Sequence, residues 1–189
     1  MGIPVIDTGP FTVEEFYAFT DHRPDDEKWE LIDGELILNA SPSLFHQRIL
    51  KNLIRVLANL ELQTGAGWEA VPGIGVRVSD TSRPEPDVMI LPRGSDPARR
   101  DTTEALAVFE IMSPSTADRD LKWKRAAYTG MAKLAYYVAI AQDTPEAVVF
   151  AREEGFAERR LCRAEEAIEL PALGLSLPLA EIYRDTGLL

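Results

Sequence analysis

Cysteine is nearly missing from this chain. Cys162 stands alone, which rules out an intrachain disulfide, a disulfide framework and a cysteine-built zinc site. Long apolar runs are missing too. No stretch approaches the ~20 residues that span a bilayer, and Met1–Asp7 has no basic region followed by an apolar one, so neither a secretory signal nor a membrane partner is expected. A reducing cytoplasm is the expected setting. Positive charge is also scarce: 31 acids against 20 bases give a net charge of −11. That argues against a simple nucleic-acid coat, because generic phosphate binding draws its affinity from clustered Lys and Arg. An enzyme acting on nucleic acid remains compatible with the charge if a local basic patch and a bound cation handle the phosphates. No segment repeats or is low in complexity.

What is present describes one globular domain over residues 1–189. Its hydrophobic fraction is 46%, enough for a core of useful size at this length. Thr12 to His22 reads as a short capped helix with Glu14 and Glu15 in its first turn. Lys28 to Asn39 reads as a hairpin turning at Asp33-Gly34, a strong short turn signal. Ser41-Pro42-Ser43 opens a long helix whose apolar positions Phe45, Ile49, Leu50, Leu53, Ile54, Leu57 and Leu60 recur at three and four, ending near Gly65-Ala66-Gly67. Trp68 to Val78 is strand-like despite Pro72-Gly73. Pro86 to Leu91 is a second strand. Glu104 to Met112 is a third, apolar on both faces and therefore central.

A helix follows from about Ala117 to Met131, announced by Ser115 with Asp118 three residues on, and then a buried strand from Leu134 to Ala141. The tail alternates short strands, Ala147 to Arg152 and Phe156 to Arg163, with turns, and closes in a short helix around Leu179 to Tyr183. This order predicts a mixed α/β sandwich rather than a doubly wound sheet.

Two carboxylates stand inside apolar strands. If the second and third strands pair antiparallel, opposed residues are equidistant from the turn. The midpoint of Asp87 and Glu110 falls within Arg93–Arg100, the natural loop. The two acids would then share one face with Cβ atoms about 4.5–5.5 Å apart. Unpaired, they would repel each other and bear a heavy desolvation cost. A hard divalent cation held by oxygen ligands relieves both, and Mg²⁺ characteristically takes one or two carboxylates plus a substrate phosphate.

On the following helix, about 100° per residue puts Asp120, Lys124, Tyr128 and Met131 on one side. Arg119, Lys122, Arg125 and Thr129 lie opposite as the solvated face. Lys124 and Asp120 therefore point inward, where a lysine beside a metal and a phosphate would orient water and offset developing charge. Plainer readings stand beside this one: Asp87 capping a turn, and Lys124 pairing with Glu110 as a structural ion pair. His46, on the stripe of Leu50, Leu53 and Leu57, reads as a core histidine, with a site role as the alternative because it lies near the helix start. Glu30, between Trp29 and Leu31, reads as an outward edge-strand acid. Tyr128 is more often core than catalyst. Gly73-Ile74-Gly75 is too short for a phosphate loop, and Ser113 and Ser115 lack a partner for nucleophilic catalysis.

Taken together, Trp29-Glu30-Leu31-Ile32-Asp33-Gly34-Glu35-Leu36, Ser41-Pro42 with His46, Pro86-Asp87-Val88, Glu110-Ile111-Met112-Ser113-Pro114-Ser115-Thr116 and Asp120…Lys124…Tyr128 resemble the Uma-two family of restriction-endonuclease-like proteins, in the PD-(D/E)XK nuclease superfamily. The likeness covers about Phe11 to Tyr183. It implies a restriction-endonuclease-like α/β fold: a mixed sheet flanked by helices, a nuclease core over about 43–141, an N-terminal helix and hairpin, and a C-terminal β-rich extension. It also implies hydrolysis of DNA phosphodiester bonds with Mg²⁺, or Mn²⁺ in its place, and a homodimer.

By the same resemblance Asp87, Glu110 and the Ile111 carbonyl are metal ligands, Lys124 is the catalytic lysine, and Glu30 and His46 line the cleft, with Asp120 or Tyr128 orienting Lys124. The superfamily lysine stands two residues after the second acid, where this chain has Met112, so the lysine is displaced onto the next helix. Two rivals remain: a non-catalytic binding or regulatory module of the same fold, and a metal-dependent hydrolase of small phosphoesters.

Overall fold

The structure is a computed structural model that describes residues 10–113 and 117–189, with the backbone alone for 117–120. The expected cap at Ser115 lies outside the described residues. Helix α1 (Val13–Thr20) begins at a capping box in which Thr12 and Glu15 satisfy each other's end groups. Strands β1 (Trp29–Ile32) and β2 (Glu35–Leu38) form the expected hairpin. Its turn residues Asp33 and Gly34 both have positive φ, 51° and 82°, as a two-residue hairpin turn of this hand requires. A Cβ on Gly34 would fall 2.3 Å from the Pro10 Cβ, so no other residue fits there.

Helix α2 (Leu44–Thr64) is capped by Ser43, whose hydroxyl accepts from His46 N–H, and stops at Gly65 in the left-handed region. The main sheet has the order β10-β9-β8-β7-β5-β3. Its strands are β3 (Trp68–Pro72), β5 (Val88–Pro92), β7 (Ala107–Met112), β8 (Tyr136–Ala141), β9 (Ala147–Ala151) and β10 (Glu158–Leu161). Every neighbouring pair is antiparallel except β7 and β8, whose parallel pairing requires the crossover supplied by helix α3 (Ala117–Thr129). The architecture is thus the expected mixed sheet flanked by helices.

The two sheet faces bury different partners. Ile49, Leu53 and Leu57 of α2 pack on the face carrying Val88, Ile90, Phe109, Ile111, Val138 and Ile140. Tyr128 and Met131 pack on the face carrying Met89, Val108, Tyr137, Ala139 and Phe150. Because side chains alternate along a strand, Glu110 shares the face of Val108 and looks toward α3.

Several local expectations change. Trp68 to Val78 is two strands, because Pro72 and Gly73, at φ 65°, break the ladder. The second piece, β4 (Gly75–Val76), leaves the sheet and pairs parallel with β6 (Asp101–Thr102), which lies inside the connection between β5 and β7. Phe45 is 46% exposed rather than core. Asn52 is buried in the helix instead, its amide donating to the carbonyls of Ile182 (3.0 Å) and Arg184 (2.7 Å). Arg125 is half-buried rather than solvated: its guanidinium covers the Phe150 ring at 4.5 Å and donates to the Phe156 carbonyl. In the tail, β11 (Ala167–Leu170) and β12 (Leu175–Pro178) form a second hairpin that the sequence did not announce, followed by α4 (Leu179–Ile182). Among the described residues no helix is long and apolar enough to cross a membrane.

Candidate functional site

The ladder between β5 and β7 pairs Val88 with Phe109, Met89 with Val108 and Ile90 with Ala107. One step further, the same register sets Asp87 opposite Glu110, as the turn arithmetic requires. The next pair outward would be Pro86 and Ile111. In an antiparallel pair of this kind each residue gives its N–H to the other's carbonyl, and proline has no N–H to give. The Ile111 N–H turns instead to Asp87 Oδ2, at 2.7 Å. The proline thus ends the strand pairing and hands one ladder bond to a carboxylate. In a regular strand the carbonyl of a residue lies on the same edge as its N–H, which places the Ile111 carbonyl beside Asp87.

Around Glu110 the elements converge. Lys124, from α3, donates to Glu110 Oε1 at 2.9 Å and to Glu30 Oε1 at 3.3 Å. The Tyr128 hydroxyl, one turn along, donates to Glu110 Oε1 at 2.8 Å. Glu30 is not the outward acid that its alternation suggested. It is 5% exposed and accepts from the Glu85 N–H (2.7 Å) and from Asn39 (3.1 Å). The cause is the docking of the hairpin: Leu31 and Arg83 exchange two backbone bonds, and the Trp123 indole on α3 donates to Asp33 in the turn at 2.7 Å. Both pin β1 against the segment before Asp87. His46 likewise departs from the core reading. Its Nε2 donates to Asp87 Oδ1 across 3.2 Å, and its Nδ1 is buried with no hydrogen-bond partner among the described residues.

Five of the sequence's candidates, Glu30, His46, Asp87, Glu110 and Lys124, therefore meet in one place with Tyr128 behind them. The Asp120 side chain lies outside the described residues. Asn39 and the Glu85 backbone were missed. Asn39 follows the hairpin as an ordinary polar residue, and a backbone donor leaves no mark in a sequence.

The electrostatics are those of a crowded acidic centre. Burial pushes the Glu110 carboxyl up to about 7, and the neighbouring Asp87 and Glu30 push the same way against Lys124. Burial also opposes charge on Glu30 and Asp87, but their partners prevail and both stay below the usual carboxylate range. For Glu30 these are Lys124, the Glu85 N–H and Asn39; for Asp87 they are His46 and the Ile111 N–H. Lys124 is raised, since Glu110 and Glu30 outweigh its desolvation, and it remains an ammonium at neutral pH.

Glu110 and Glu30 thus share one lysine, while Asp87 is held by His46 and the Ile111 N–H. The donor set fits a hard divalent cation: two opposed carboxylates, a backbone carbonyl whose ladder partner is a proline, and surplus negative charge. Among the described residues no group of three His, Cys, Asp or Glu side chains forms a ready cage.

The sequence model of a family described as "Uma2: Putative restriction endonuclease" matches residues 13–180. The chain belongs to the Uma2 family. Among solved structures, a protein described as a "putative nuclease belonging to DUF820", from Anabaena variabilis, superposes with a TM-score of 0.75 at 15% identity. That match covers 92% of this chain and 98% of the other. At that identity the likeness establishes the fold. No curated protein matches the chain. On β7, Met112 stands two residues after Glu110, and the ammonium beside Glu110 comes from α3.

Proposed function

We propose that this Uma2 protein is a metal-dependent endonuclease that hydrolyses DNA phosphodiester bonds at the cluster of Asp87, Glu110 and Lys124. The observation that carries this reading is the 2.9 Å contact from Lys124 to Glu110, directly across the strand pair from Asp87. It brings an ammonium to the acid although the usual lysine position holds methionine. Asp87, Glu110 and the Ile111 carbonyl would hold Mg²⁺ or Mn²⁺. When bound, such an ion supplies Lewis-acid stabilisation of the charge that builds on the phosphate oxygens.

The chain's own groups do the positioning. His46 and the Ile111 N–H fix both oxygens of Asp87. Glu30 steers Lys124 from behind, and Tyr128 donates to Glu110 from the core side. Lys124, kept protonated, is the group that offsets phosphate charge and orients the attacking water. Tyr128 stays neutral because burial and the adjacent acids hold its hydroxyl well above its usual range.

The test is cleavage of supercoiled plasmid with Mg²⁺ or Mn²⁺ by the wild type and by Asp87→Ala, with circular dichroism to confirm folding. Ion-dependent cutting that disappears in the variant is expected, and undiminished cutting by folded Asp87→Ala would refute the assignment. One observation favours the second reading, a non-catalytic module: both Asp87 oxygens already have protein partners. Calorimetric Mn²⁺ titration separates the two, because a module without chemistry has no need of an ion at these acids.

A further inference from the structure

The outer edge of strand β2 is open. The hairpin turn closes on Ile32 and Glu35, and the Asn39 N–H donates to the Lys28 carbonyl at 2.9 Å. Bonded and non-bonded pairs alternate along an antiparallel ladder. Glu35, Ile37 and Asn39 therefore turn their backbone groups toward β1, and Leu36 and Leu38 turn theirs away. The same alternation holds on β1, where Leu31 turns away from β2 and exchanges two bonds with Arg83. Strand β2 has no counterpart of Arg83. Among the described residues the backbone groups of Leu36 and Leu38 have no hydrogen-bond partner.

Open sheet edges invite another strand, and proteins blunt them with charge, proline or a covering group. The main sheet does so at both ends. Edge strand β10 carries Glu158, Arg159 and Arg160. Edge strand β3 ends in Pro72 and gives its Ala70 N–H to Glu61 at 3.3 Å. Strand β2 has only Glu35 at its start, and it pairs with β1 without a bulge. Residues 36–47 contain no Asp, Glu, Lys or Arg, in a chain that is 27% charged. The same stretch holds three of the five large hydrophobic side chains exposed among the described residues: Leu38 (51%), Leu44 (66%) and Phe45 (46%). Loss of charge around exposed apolar groups is the composition of an interface centre.

We propose that this edge pairs with the same edge of a second copy of the chain, antiparallel about a two-fold axis at Ile37. The register selects the occupant. With the axis at Ile37, Leu36 faces the partner's Leu38, and Leu38 faces the partner's Leu36. These are the residues whose backbone groups point outward, so each such pair exchanges two hydrogen bonds. Leu36 and Leu38 also emerge on one face, so each exposed Leu38 gains an apolar cross-strand neighbour. The nearest charge, Glu35, falls opposite the partner's Asn39, an amide. Two copies thus meet here without like charges in contact, although each carries −11.

The surface stands without the nuclease reading, and its consequence rests on that reading. Glu30 lies directly across from Ile37 on β1. Three strand spacings therefore put the two Glu30 backbones about 14 Å apart on one face of the joined sheet. A DNA major groove is about 12 Å wide, so one dimer can set two acid clusters against the two strands of a duplex.

The test is sedimentation velocity of the full chain. Wild type should sediment as a dimer. Leu38→Lys adds a charge to the edge, and Leu38→Pro deletes an outward N–H but no bond within the hairpin. Both should sediment as monomers with the circular dichroism of wild type. Register is read by air oxidation in a Cys162→Ser background, which removes the exposed native thiol. Ile37→Cys, beside its own counterpart at the axis, should form a disulfide-linked dimer, and Glu35→Cys should not. A monomeric wild type, whose edge then falls to a strand of another protein, overturns the proposal. So does a dimer that survives in folded Leu38→Lys or Leu38→Pro, or a Glu35→Cys that crosslinks as readily as Ile37→Cys. Plasmid cleavage is read separately: a dimer with this register that cuts no DNA keeps the surface and removes the nuclease.

Discussion

Lys124 Nζ lies 2.9 Å from Glu110 Oε1 although the two residues belong to different elements, one on helix α3 and one on strand β7. The ammonium bridges Glu110 and Glu30, and all three side chains are at least 87% shielded, with exposures of 13%, 7% and 7%. At such burial, removing one partner leaves the others as uncompensated charges, which costs far more than an intact pair contributes. Lys124→Met should therefore destabilise the fold by roughly 3–5 kcal/mol, and the double variant Lys124→Met/Glu110→Gln should recover part of that loss. Urea denaturation measures both. A Lys124→Met protein as stable as wild type would mean that the acids are better solvated than their burial indicates.

The Glu110 carboxyl gives stability a pH signature. Its folded-state value of about 7 lies above the ordinary 4.5. The folded state therefore binds the proton more tightly than the unfolded state. Its contribution is fully present below about pH 4.5 and is lost as pH rises through about 7, a change on the order of 3 kcal/mol. Melting curves of metal-free wild type should drop relative to Glu110→Gln across that window and run parallel above it. Parallel curves throughout would show that Glu110 titrates as an ordinary carboxyl.

Glu30 touches Lys124 and the Glu85 backbone, and its assigned role is positional. Glu30→Gln retains an oxygen for the Glu85 N–H but removes half of Lys124's counter-charge. The expected outcome is a fall in kcat of about tenfold, equivalent to about 1.4 kcal/mol, with KM unchanged. A rise in KM at constant kcat would instead put Glu30 in contact with substrate.

The parts of this site that were legible in the sequence are those governed by local periodicity. Alternation along β5 and β7, with a loop between them, was enough to oppose Asp87 and Glu110. The insertion of β6 in that loop did not shift the register, because both buried faces of the strands forbid a one-residue slip. The helical period was enough to turn Lys124 inward. Glu30 and His46 were legible through the family resemblance and not through periodicity, since each is defined by a contact between elements far apart in sequence. Glu30 is buried because the β1–β2 hairpin docks onto Arg83 and Trp123. His46 meets Asp87 because α2 begins at the open end of β5. The β11–β12 hairpin escaped for a related reason: its four-residue strands alternate too briefly to stand out from a turn-rich tail.

The displacement of the lysine can itself be tested by moving it back. Glu110 and Met112 lie two residues apart on β7, so their side chains emerge on the same face. Met112 is half-buried against the cluster that includes Tyr128. A lysine at that position has the length to bring its ammonium to Glu110 from the strand instead of the helix, and its stem can occupy the space of the methionine. Lys124→Met should lose cleavage by at least about a hundredfold, the scale of a single preorganised charge in a water-poor site. Adding Met112→Lys should recover at least about tenfold of that loss and should also raise the stability of the single variant, because the buried acids regain a cation. Recovery of stability without any recovery of cleavage would show that the ammonium must come from α3 to serve the chemistry, whereas cleavage lost only in proportion to folded protein would assign Lys124 a purely structural part.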